Sequence, residues 1–399
     1  MTSPTDLRKA IEAELYGNLL PFWRSRSLDT DHGGFIGEMS NAGQVRAGAD
    51  KGLILNSRVL WTFSAVYREL GDDGDLALAQ RAYRYLLDRF ADRDHGGFLW
   101  LLDSEGRPLE DTKKIYGQAF CIYALSELYL ATGKAGPLEE AQAVFDLIEL
   151  YARDDEYGGY IESLSRDWSP AGDLRLSDKD MDTPKSMNNH LHVLEAYANL
   201  YRAWPDRKVA ERLGELIDLF DRHIVGEDDG RCHLHHFFDK QWSVCSETYS
   251  YGHDIEAAWL LAEAAEVLGD ESRQAVVHRR AEQLARSVLA EAVDADGGLA
   301  YEGRDGRVID PSREWWCQAE AIVGFWQVYA STGREVFADA ARTIWDFIDK
   351  RVIDRENGEW FWRVLGDGSI DESEPKVSEW KGPYHNTRMC LEMLRRLKA

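Results

Sequence analysis

Asp94-His95-Gly96-Gly97-Phe98 is one of six similar acidic-glycine turns along this 399-residue chain. The other five are Asp31-His32-Gly33-Gly34-Phe35, Glu156-Tyr157-Gly158-Gly159-Tyr160, Asp228-Asp229-Gly230, Asp296-Gly297-Gly298-Leu299 and Glu356-Asn357-Gly358-Glu359-Trp360. Successive turns lie 63, 62, 71, 68 and 60 residues apart. A period of this length indicates a repeated supersecondary unit. Glycine pairs flanked by aromatic residues also predict short β-hairpins.

Two helical patterns fill each interval between turns. Five pairs are predicted at 51–70 and 75–91, 113–131 and 137–153, 184–204 and 208–224, 250–269 and 271–291, and 311–332 and 334–352. The last helix, 380–398, has no partner after it, so the opening helix 5–26 is expected to complete a sixth pair. The pattern therefore predicts twelve helices.

The two helices of a pair differ in polarity. Second helices are amphipathic, as in 79–90, where apolar residues recur at helical spacing. First helices are apolar nearly all round, as in 120–125, which indicates burial on every side. Six inner and six outer helices predict an all-α (α/α)6 barrel with short β-hairpins at one rim. The unbroken repeat predicts one catalytic domain over residues 1–399.

The composition excludes some classes of partner. Asp and Glu (71) outnumber Lys and Arg (47), for a net charge of −24, which disfavours nucleic acid and anionic membranes. No apolar run approaches the roughly 20 residues that span a bilayer, and residues 1–9 lack the apolar core of a signal peptide. The five cysteines are expected to be reduced thiols in a cytoplasmic monomer or homodimer.

The chain is rich in large aromatic residues, with 14 Trp and 17 Tyr. Such rings fill cores. Sugar rings also present apolar C–H faces that stack on indoles. The counts alone leave both interpretations open.

Polar residues interrupt the otherwise apolar inner helices, always in their N-terminal halves. They are Arg58; Lys113, Lys114 and Tyr116; Asn188, Asn189, His190 and His192; His253, Asp254 and Glu256; Glu314, Trp315, Trp316, Gln318 and Glu320; and Trp380, Lys381, Tyr384, His385, Asn386 and Arg388. Parallel inner helices bring these halves together at one rim, where the helix dipoles favour an anion such as an oxyanion. Any single cluster has a structural explanation, but that explanation would have to hold six times at one end.

A second histidine cluster lies in the alternating stretch His233-Leu234-His235-His236-Phe237-Phe238. Imidazole is a common metal ligand. The stretch lacks CxxC or HExxH partners, however, so hairpin or surface positions are favoured over a metal site.

Five stretches resemble the N-acylglucosamine 2-epimerase superfamily, most closely its cellobiose 2-epimerases. They read KGLILNSRVLWTFS (51–64), SMNNHLHVLEAY (186–197), SYGHDIEA (250–257), WWCQAEA (315–321) and EWKGPYHNTR (379–388). The resemblance implies an (α/α)6 barrel that acts, with neither metal nor nucleotide cofactor, on the reducing-end glucose of cellobiose, lactose or mannobiose.

The resemblance also implies roles for individual residues. His253 and His385 look like the acid/base pair, His192 like the group that assists ring opening, and Arg58 like the contact to the sugar oxygens at C1 and C2. The implied sugar-binding residues are Tyr116, Asp180, Asn188, Glu256, Trp316, Glu320 and Trp380. Trp316 and Trp380 resemble stacking platforms, and Asp180 precedes its helix.

Inversion at C2 of an aldose needs these residue types. The open-chain aldehyde acidifies the C2 hydrogen, and deprotonation gives a planar cis-enediolate that is reprotonated from the other face. Two bases suffice, or one base with rotation of the intermediate, and imidazole can serve near neutrality. A fixed Arg58 can stabilise the enediolate charge. Glu256, one turn after His253, is expected to hold that histidine's tautomer.

Other functions remain open on the sequence alone. An (α/α)6 glycosidase would need an opposed carboxylate pair but neither three histidines nor an arginine. A sugar-binding protein would explain the tryptophans but not His253 and His385. Within the superfamily the alternatives are a D-mannose/D-glucose 2-epimerase, a mannose isomerase and an N-acylglucosamine 2-epimerase.

Overall fold

All twelve predicted helices are present in the structure, a computed structural model that describes residues 4–397. The inner helices are α3 (Leu53–Leu70), α5 (Ile115–Thr132), α7 (Met187–Ala203), α9 (Tyr251–Leu268), α11 (Trp315–Thr332) and α13 (Tyr384–Arg396). The outer helices are α1 (Pro4–Glu14) with α2 (Leu20–Arg26), α4 (Asp73–Tyr85), α6 (Ala135–Tyr151), α8 (Arg207–Leu219), α10 (Glu271–Glu291) and α12 (Glu335–Phe347). The predicted helix end at Lys398 and the first three residues of the segment tested for a signal peptide lie outside the described residues.

The outer helices contain π-helical turns. One, at Leu15–Leu19, joins α1 to α2. Three others follow directly on α4, α8 and α12, at Leu86–Phe90, Phe220–Ile224 and Ile348–Val352. Each of these three turns leads into the hairpin of the next repeat.

The inner helices form a closed ring. Each packs against the next, and α13 packs against both α11 and α3. The two ends of the chain complete the sixth pair as predicted, because α13 also packs against α1 and Arg8 Nη1 donates to Leu394 O at 2.7 Å. The fold is therefore the predicted (α/α)6 barrel. Within residues 4–397, no helix is long and apolar enough to cross a membrane.

Short strands surround the rim where the inner helices begin. In the described residues they are β1 (Lys51–Gly52), β2 (Leu101–Leu102), β3 (Pro108–Glu110), β4 (Lys113–Lys114), β5 (Ser163–Leu164), β6 (Lys185–Ser186), β7 (Val225–Asp228), β8 (Arg231–Leu234), β9 (Phe237–Phe238), β10 (Tyr249–Ser250), β11 (Glu302–Arg304), β12 (Arg307–Asp310), β13 (Arg313–Glu314) and β14 (Arg363–Val364). All strand pairs are antiparallel, which confirms the predicted hairpins.

Five inner helices begin later than predicted, because a two-residue strand precedes each of them. These strands, β1, β4, β6, β10 and β13, pair with hairpins of the following repeats. Their backbone groups are therefore committed to a neighbouring strand and cannot start a helix. The last inner helix also begins at Tyr384 rather than at Trp380.

Buried ion pairs fasten the hairpins to these strands. Asp92 and Asp154 each stand two residues before a glycine turn, and one oxygen of each carboxylate accepts backbone N–H groups of the turn. The second oxygen accepts from Lys113 at 2.9 Å or from Lys185 at 2.8 Å. Asp29 pairs in the same way with Lys51, and a more exposed Asp294 pairs with Arg313. Asp354 pairs with Lys376, which lies in a loop rather than in one of these strands. Breaking a buried pair is strongly destabilising, so Lys113 is structural and does not line the cavity predicted for its cluster.

The fourth residue of several inner helices binds the adjacent hairpin. On α5, Gln118 accepts from Phe98 N at 2.9 Å and donates to Phe98 O at 2.8 Å. His190 has the same position on α7, where its Nε2 accepts from Tyr160 N at 2.9 Å and its Nδ1 faces a backbone carbonyl. A Cβ added at Gly159 would lie 2.5 Å from His190 Nε2, so the turn requires glycine there. His190 is therefore a structural residue.

We expect a His190→Gln variant to resist acid better than the unchanged protein. Burial lowers the pKa of His190 from 6.5 to about 4. A folded-state pKa below the unfolded one gives stability that is present above pH 6.5 and is lost as the pH falls toward 4. Gln118 shows that glutamine can make the hairpin contact. Between pH 6 and 4.5, the free energy of unfolding should fall less steeply with decreasing pH in the variant than in the unchanged protein. The difference between the two slopes should be about 1.4 kcal/mol per pH unit. Urea denaturation at several pH values measures this, and equal slopes would contradict it.

Candidate active site

The sixth residue of each inner helix is buried inside the barrel at one level. On α3, α5, α7, α9 and α11 these residues are Arg58, Phe120, His192, Glu256 and Glu320. Two neighbouring pairs in this set are in direct contact: the Arg58 guanidinium lies 4.5 Å from the centre of the Phe120 ring, which lies 4.9 Å from that of His192. Four of the five are predicted site residues, so the structure does bring the polar clusters together.

Arg58 is a buried cation with neutral neighbours. Its Nη1 donates to Trp380 O and its Nη2 to the Tyr116 hydroxyl, both at 2.9 Å, and Nε is buried with no partner. The guanidinium also lies over the ring of Tyr384, at 5.1 Å. Burial raises the pKa of Tyr116 to about 12, so the phenol stays protonated. Arg58 therefore offers a positive charge that nearby hydrogen bonds leave unneutralised.

Two of the predicted histidines are hydrogen-bonded to carboxylates. His192 Nδ1 lies 2.9 Å from Glu195 Oε2, and His385 Nδ1 lies 2.6 Å from Glu320 Oε1. Because an ionised carboxylate only accepts, the proton of each neutral ring is assigned to Nδ1. Each Nε2 then carries a lone pair and is available as a base.

The charge states agree with this assignment. Burial, opposed by the Glu320 carboxylate, lowers the pKa of His385 to about 3. Burial also lowers the pKa of His192, against the effect of Glu195. Burial alone would raise the pKa of Glu195, but Arg388 and His192 outweigh it and hold that pKa at about 2. At neutral pH the pairs are thus neutral imidazoles on carboxylates.

His253 has different surroundings. Its ring centre lies 4.7 Å from that of Trp316 and 5.8 Å from that of His236, and its buried Nδ1 has no partner. Burial, followed by the neighbouring His236, lowers its pKa well below the usual value. The expected Glu256–His253 pair is not formed, because Glu256 Oε1 accepts instead from Arg388. The helical spacing was right, but a stronger cationic partner takes the carboxylate.

Arg388 is the main site residue that the sequence analysis did not assign. Its Nη1 binds Glu195 and the Tyr384 hydroxyl. Its Nη2 donates to Glu256 Oε1 at 2.8 Å and to Glu320 Oε1 at 2.7 Å. All five side chains are nearly inaccessible to water. Glu195 could have been found from its i,i+3 spacing to His192.

The same cluster bears on metal binding. Within residues 4–397, Glu256, Glu320 and His385 are the one group whose ligand atoms all lie within 4.8 Å of one another. The Arg388 guanidinium already binds both of those carboxylates, so it provides the positive charge that a metal ion would bring. His233, in β8, is paired with Asp254 of α9, with 2.8 Å between His233 Nδ1 and Asp254 Oδ2. His236 accepts from Ser250 N at 2.9 Å beside His253.

A cavity of about 470 Å³ opens at this rim. Three predicted site residues line it, Asp180, Asn188 and His253, and the Asn188 Oδ1 atom is buried with no partner. The carboxylate of Asp180 accepts from the amide and hydroxyl of Ser177, at 2.8 and 2.6 Å, in the loop before β6. The cavity is therefore walled partly by loops and partly by starts of inner helices.

The two predicted platforms lie beside the buried groups, Trp316 next to this cavity and Trp380 next to another. Trp316 contacts both His253 and His385, with ring centres 4.7 and 5.7 Å apart. The ring centres of Trp380 and Tyr116 lie 6.3 Å apart, and Trp380 lines a second cavity of about 360 Å³. Both indoles are only half-buried. A chain of contacts thus connects all the predicted site residues except Asp180 and Asn188, which meet His253 at the cavity wall.

Relationships to known proteins fit this geometry. The N-acylglucosamine 2-epimerase (GlcNAc 2-epimerase) family profile matches residues 34–386. The chain belongs to this family. It is 42% identical to cellobiose 2-epimerase of Bacteroides fragilis over 97% of this chain and 98% of that protein. It is 40% identical to cellobiose 2-epimerase of Ruminococcus albus, over 97% and 98%. The solved structure of cellobiose 2-epimerase from Bacillus thermoamylovorans superposes with a TM-score of 0.91 at 38% identity, over 98% and 99% of the two chains.

Proposed function

We propose that this chain is a carbohydrate 2-epimerase that inverts C2 of the reducing-end sugar of cellobiose, giving glucosyl-mannose. One observation carries this proposal. Three neutral imidazoles and one unneutralised arginine meet beside two half-buried indoles, in a chain about 40% identical to cellobiose 2-epimerases over its full length. Acid/base groups, an anion-stabilising charge and sugar-stacking surfaces are the parts that this reaction needs.

His253 and His385 are the proposed acid/base pair at C2. Their depressed pKa values keep both rings unprotonated at neutral pH, so each can accept a proton. Both rings contact the Trp316 indole, which supports the proposal that they act on the same sugar ring when that ring lies against the indole. One histidine removes the C2 proton, and the other, after taking a proton from water, returns it to the opposite face. The first histidine releases its proton to water before the next turnover.

Arg58, Tyr116 and His192 are proposed to act on the sugar oxygens. The enediolate carries negative charge on O1 and O2, and the Arg58 guanidinium can donate to both. Because Arg58 donates to the Tyr116 oxygen, the phenol hydrogen stays free for a sugar oxygen. His192, with Nε2 unprotonated, is placed to move the proton that opens and closes the sugar ring.

The fold also accommodates glycosidases, but the carboxylates favour the epimerase. A glycosidase needs two carboxyl groups that flank the scissile bond. Here Glu195, Glu256 and Glu320 all bind the single guanidinium of Arg388. A sugar-binding protein would have no use for imidazoles whose Nδ1 atoms are fixed on carboxylates.

We further propose that the substrate is a disaccharide and that the protein acts in the cytoplasm as a monomer or homodimer. Trp380 lines a cavity separate from the one at His253, which leaves room for a second sugar unit. All five cysteines are free, and four of them are buried, as expected in a reducing compartment.

Incubation in D2O with cellobiose, mannobiose, mannose or N-acetylglucosamine tests the function. We expect deuterium at C2 of an intact, epimerised disaccharide, followed by NMR, and slower or no reaction of the monosaccharides. Release of glucose from cellobiose would point to a glycosidase. Deuterium only in mannose or N-acetylglucosamine would indicate another activity of the family. No change in any sugar would indicate a sugar-binding protein without turnover.

A further inference from the structure

We infer that Arg388 is a positioning residue that joins His192 and His385 into one hydrogen-bonded unit and keeps both imidazoles in the Nδ1–H tautomer. The inference rests on the proposed function for its effect on turnover, whereas the tautomers can be measured without it. Arg388 itself reaches no sugar in this account, because it acts through Glu195 and Glu320.

The network is continuous from one histidine to the other. His192 Nδ1 donates to Glu195 Oε2 at 2.9 Å, and the other oxygen of that carboxylate accepts from Arg388 Nη1. On the other side, Arg388 Nη2 donates at 2.7 Å to Glu320 Oε1, which also accepts from His385 Nδ1 at 2.6 Å. Two histidines on different inner helices thus depend on one guanidinium.

The charges in the cluster explain why an arginine is needed. Glu195, Glu256 and Glu320 are each about 1–2% exposed, and three unpaired anions could not coexist there. A guanidinium presents its donors from separate nitrogens in a fixed plane, so Nη1 can bind Glu195 while Nη2 binds Glu256 and Glu320. The three donors of an ammonium all radiate from one atom and cannot span the carboxylates in this way. Tyr384 adds a further hydrogen bond to Glu195.

The cation divides the carboxylates into two states. Arg388 helps to hold the pKa of Glu195 at about 2 and that of Glu320 below its usual value, in both cases against burial. Burial and the Glu320 anion raise the pKa of Glu256 well above its usual value, so this third carboxyl is the one of the three that most readily holds a proton. The two ionised carboxylates are those that hold the histidines.

Loss of the cation would therefore disturb both histidines together. If Glu195 or Glu320 gained a proton, it could donate to Nδ1 and move the ring's own proton to Nε2, which removes the base. If the carboxylates stayed ionised, they would raise the histidine pKa values, because Arg388 lowers both. Either outcome lowers the fraction of enzyme with a free Nε2 lone pair.

The Arg388→Lys variant keeps the positive charge but loses the planar arrangement of donors on separate nitrogens. We expect kcat for cellobiose epimerisation to fall on the order of 100-fold, with KM changed less than about threefold and the acid limb of the pH–rate profile nearly unmoved. Arg388→Met should in addition move that limb to higher pH. The matched control is Arg395→Lys on the same helix, whose ion pairs with Glu69 and Glu392 lie outside the network. It should retain full activity.

Histidine ¹⁵N NMR of the unliganded protein tests the tautomers directly. We expect the Nδ1–H form at His192 and His385 in the unchanged protein. In Arg388→Met, where no cation keeps the carboxylates ionised, a mixed or Nε2–H form is expected at both rings. In Arg388→Lys, whose ammonium donates from a single atom, the change is expected at one ring or both, because Glu195 and Glu320 bind different nitrogens of the guanidinium. His253 should be unchanged in both variants and serves as an internal reference. Unchanged tautomers at both rings, or a change at His253 as well, would overturn the inference even if activity falls. If Arg388→Met does not fold, Arg388→Lys decides alone. Absence of epimerase activity in the unchanged protein would refute the proposed function but leave the tautomer test intact.

Discussion

We expect His385→Asn and His253→Asn each to lower kcat for cellobiose epimerisation by about 100- to 10,000-fold, the usual contribution of a positioned general acid or base. Each variant removes one of the two imidazoles that contact Trp316. In His385→Asn, Glu320 keeps its bond to Arg388, so the carboxylate stays paired and the fold should survive. The initial rate of glucosyl-mannose formation, measured over a range of cellobiose concentrations, gives kcat and KM.

The matched control for this pair is His190→Gln. His190 is another buried histidine of the same rim, but its two ring nitrogens bind a hairpin amide and a backbone carbonyl. It should keep kcat within about a factor of two of the unchanged enzyme, since changes away from reacting groups have small effects. Equal losses in all three variants would show that activity merely follows the integrity of the rim.

Arg58→Met should lower kcat by about 100- to 1,000-fold, the cost of removing one oxyanion-stabilising donor. The same change should leave the thermal midpoint of unfolding equal or higher. Arg58 is about 4% exposed as a residue, its Nε has no partner, and its end nitrogens donate only to uncharged oxygens. A buried cation that lacks a counter-ion costs stability, and a residue kept at such a cost is expected to serve the reaction.

Arg58→Lys separates charge from geometry in this prediction. Lysine keeps the charge but cannot donate to two oxygens at once from a planar fork, so an intermediate kcat is expected. Stability is measured by differential scanning calorimetry of the same preparations. A strongly destabilised Arg58→Met variant with normal kcat per folded molecule would make Arg58 a structural residue.

Periodicity was enough to predict the barrel and the rim at which the candidate site residues meet. The six turns located every helix pair, and the interruption of apolar helices by Arg58, His192 and His385 located the rim. Exact helix starts were not predictable, because Lys113 and its equivalents pair with strands about 50 residues further along the chain. That pairing becomes visible only when the repeats are packed together.

Part of each polar cluster proved structural for the same reason. Lys381 pairs with Glu359 at 3.0 Å, and His190 binds a hairpin, although both stand among site residues in the sequence. The recurring Asp two residues before a turn, as at Asp92, was a signal for these anchors. The role of Arg388 could not be inferred locally, because its carboxylate partners come from three other helices, 68 to 193 residues away.

Deuterium exchange in the two histidine variants tests most directly the claim that His253 and His385 serve opposite faces of C2. Each variant is incubated in D2O with cellobiose and, separately, with glucosyl-mannose, and the C2 hydrogen of the starting sugar is followed by NMR. We predict that each variant exchanges the C2 hydrogen of one sugar without forming the other, and that the two variants choose opposite sugars. Exchange of both sugars by one variant and of neither by the other would contradict the account, because a single base would then work on both faces.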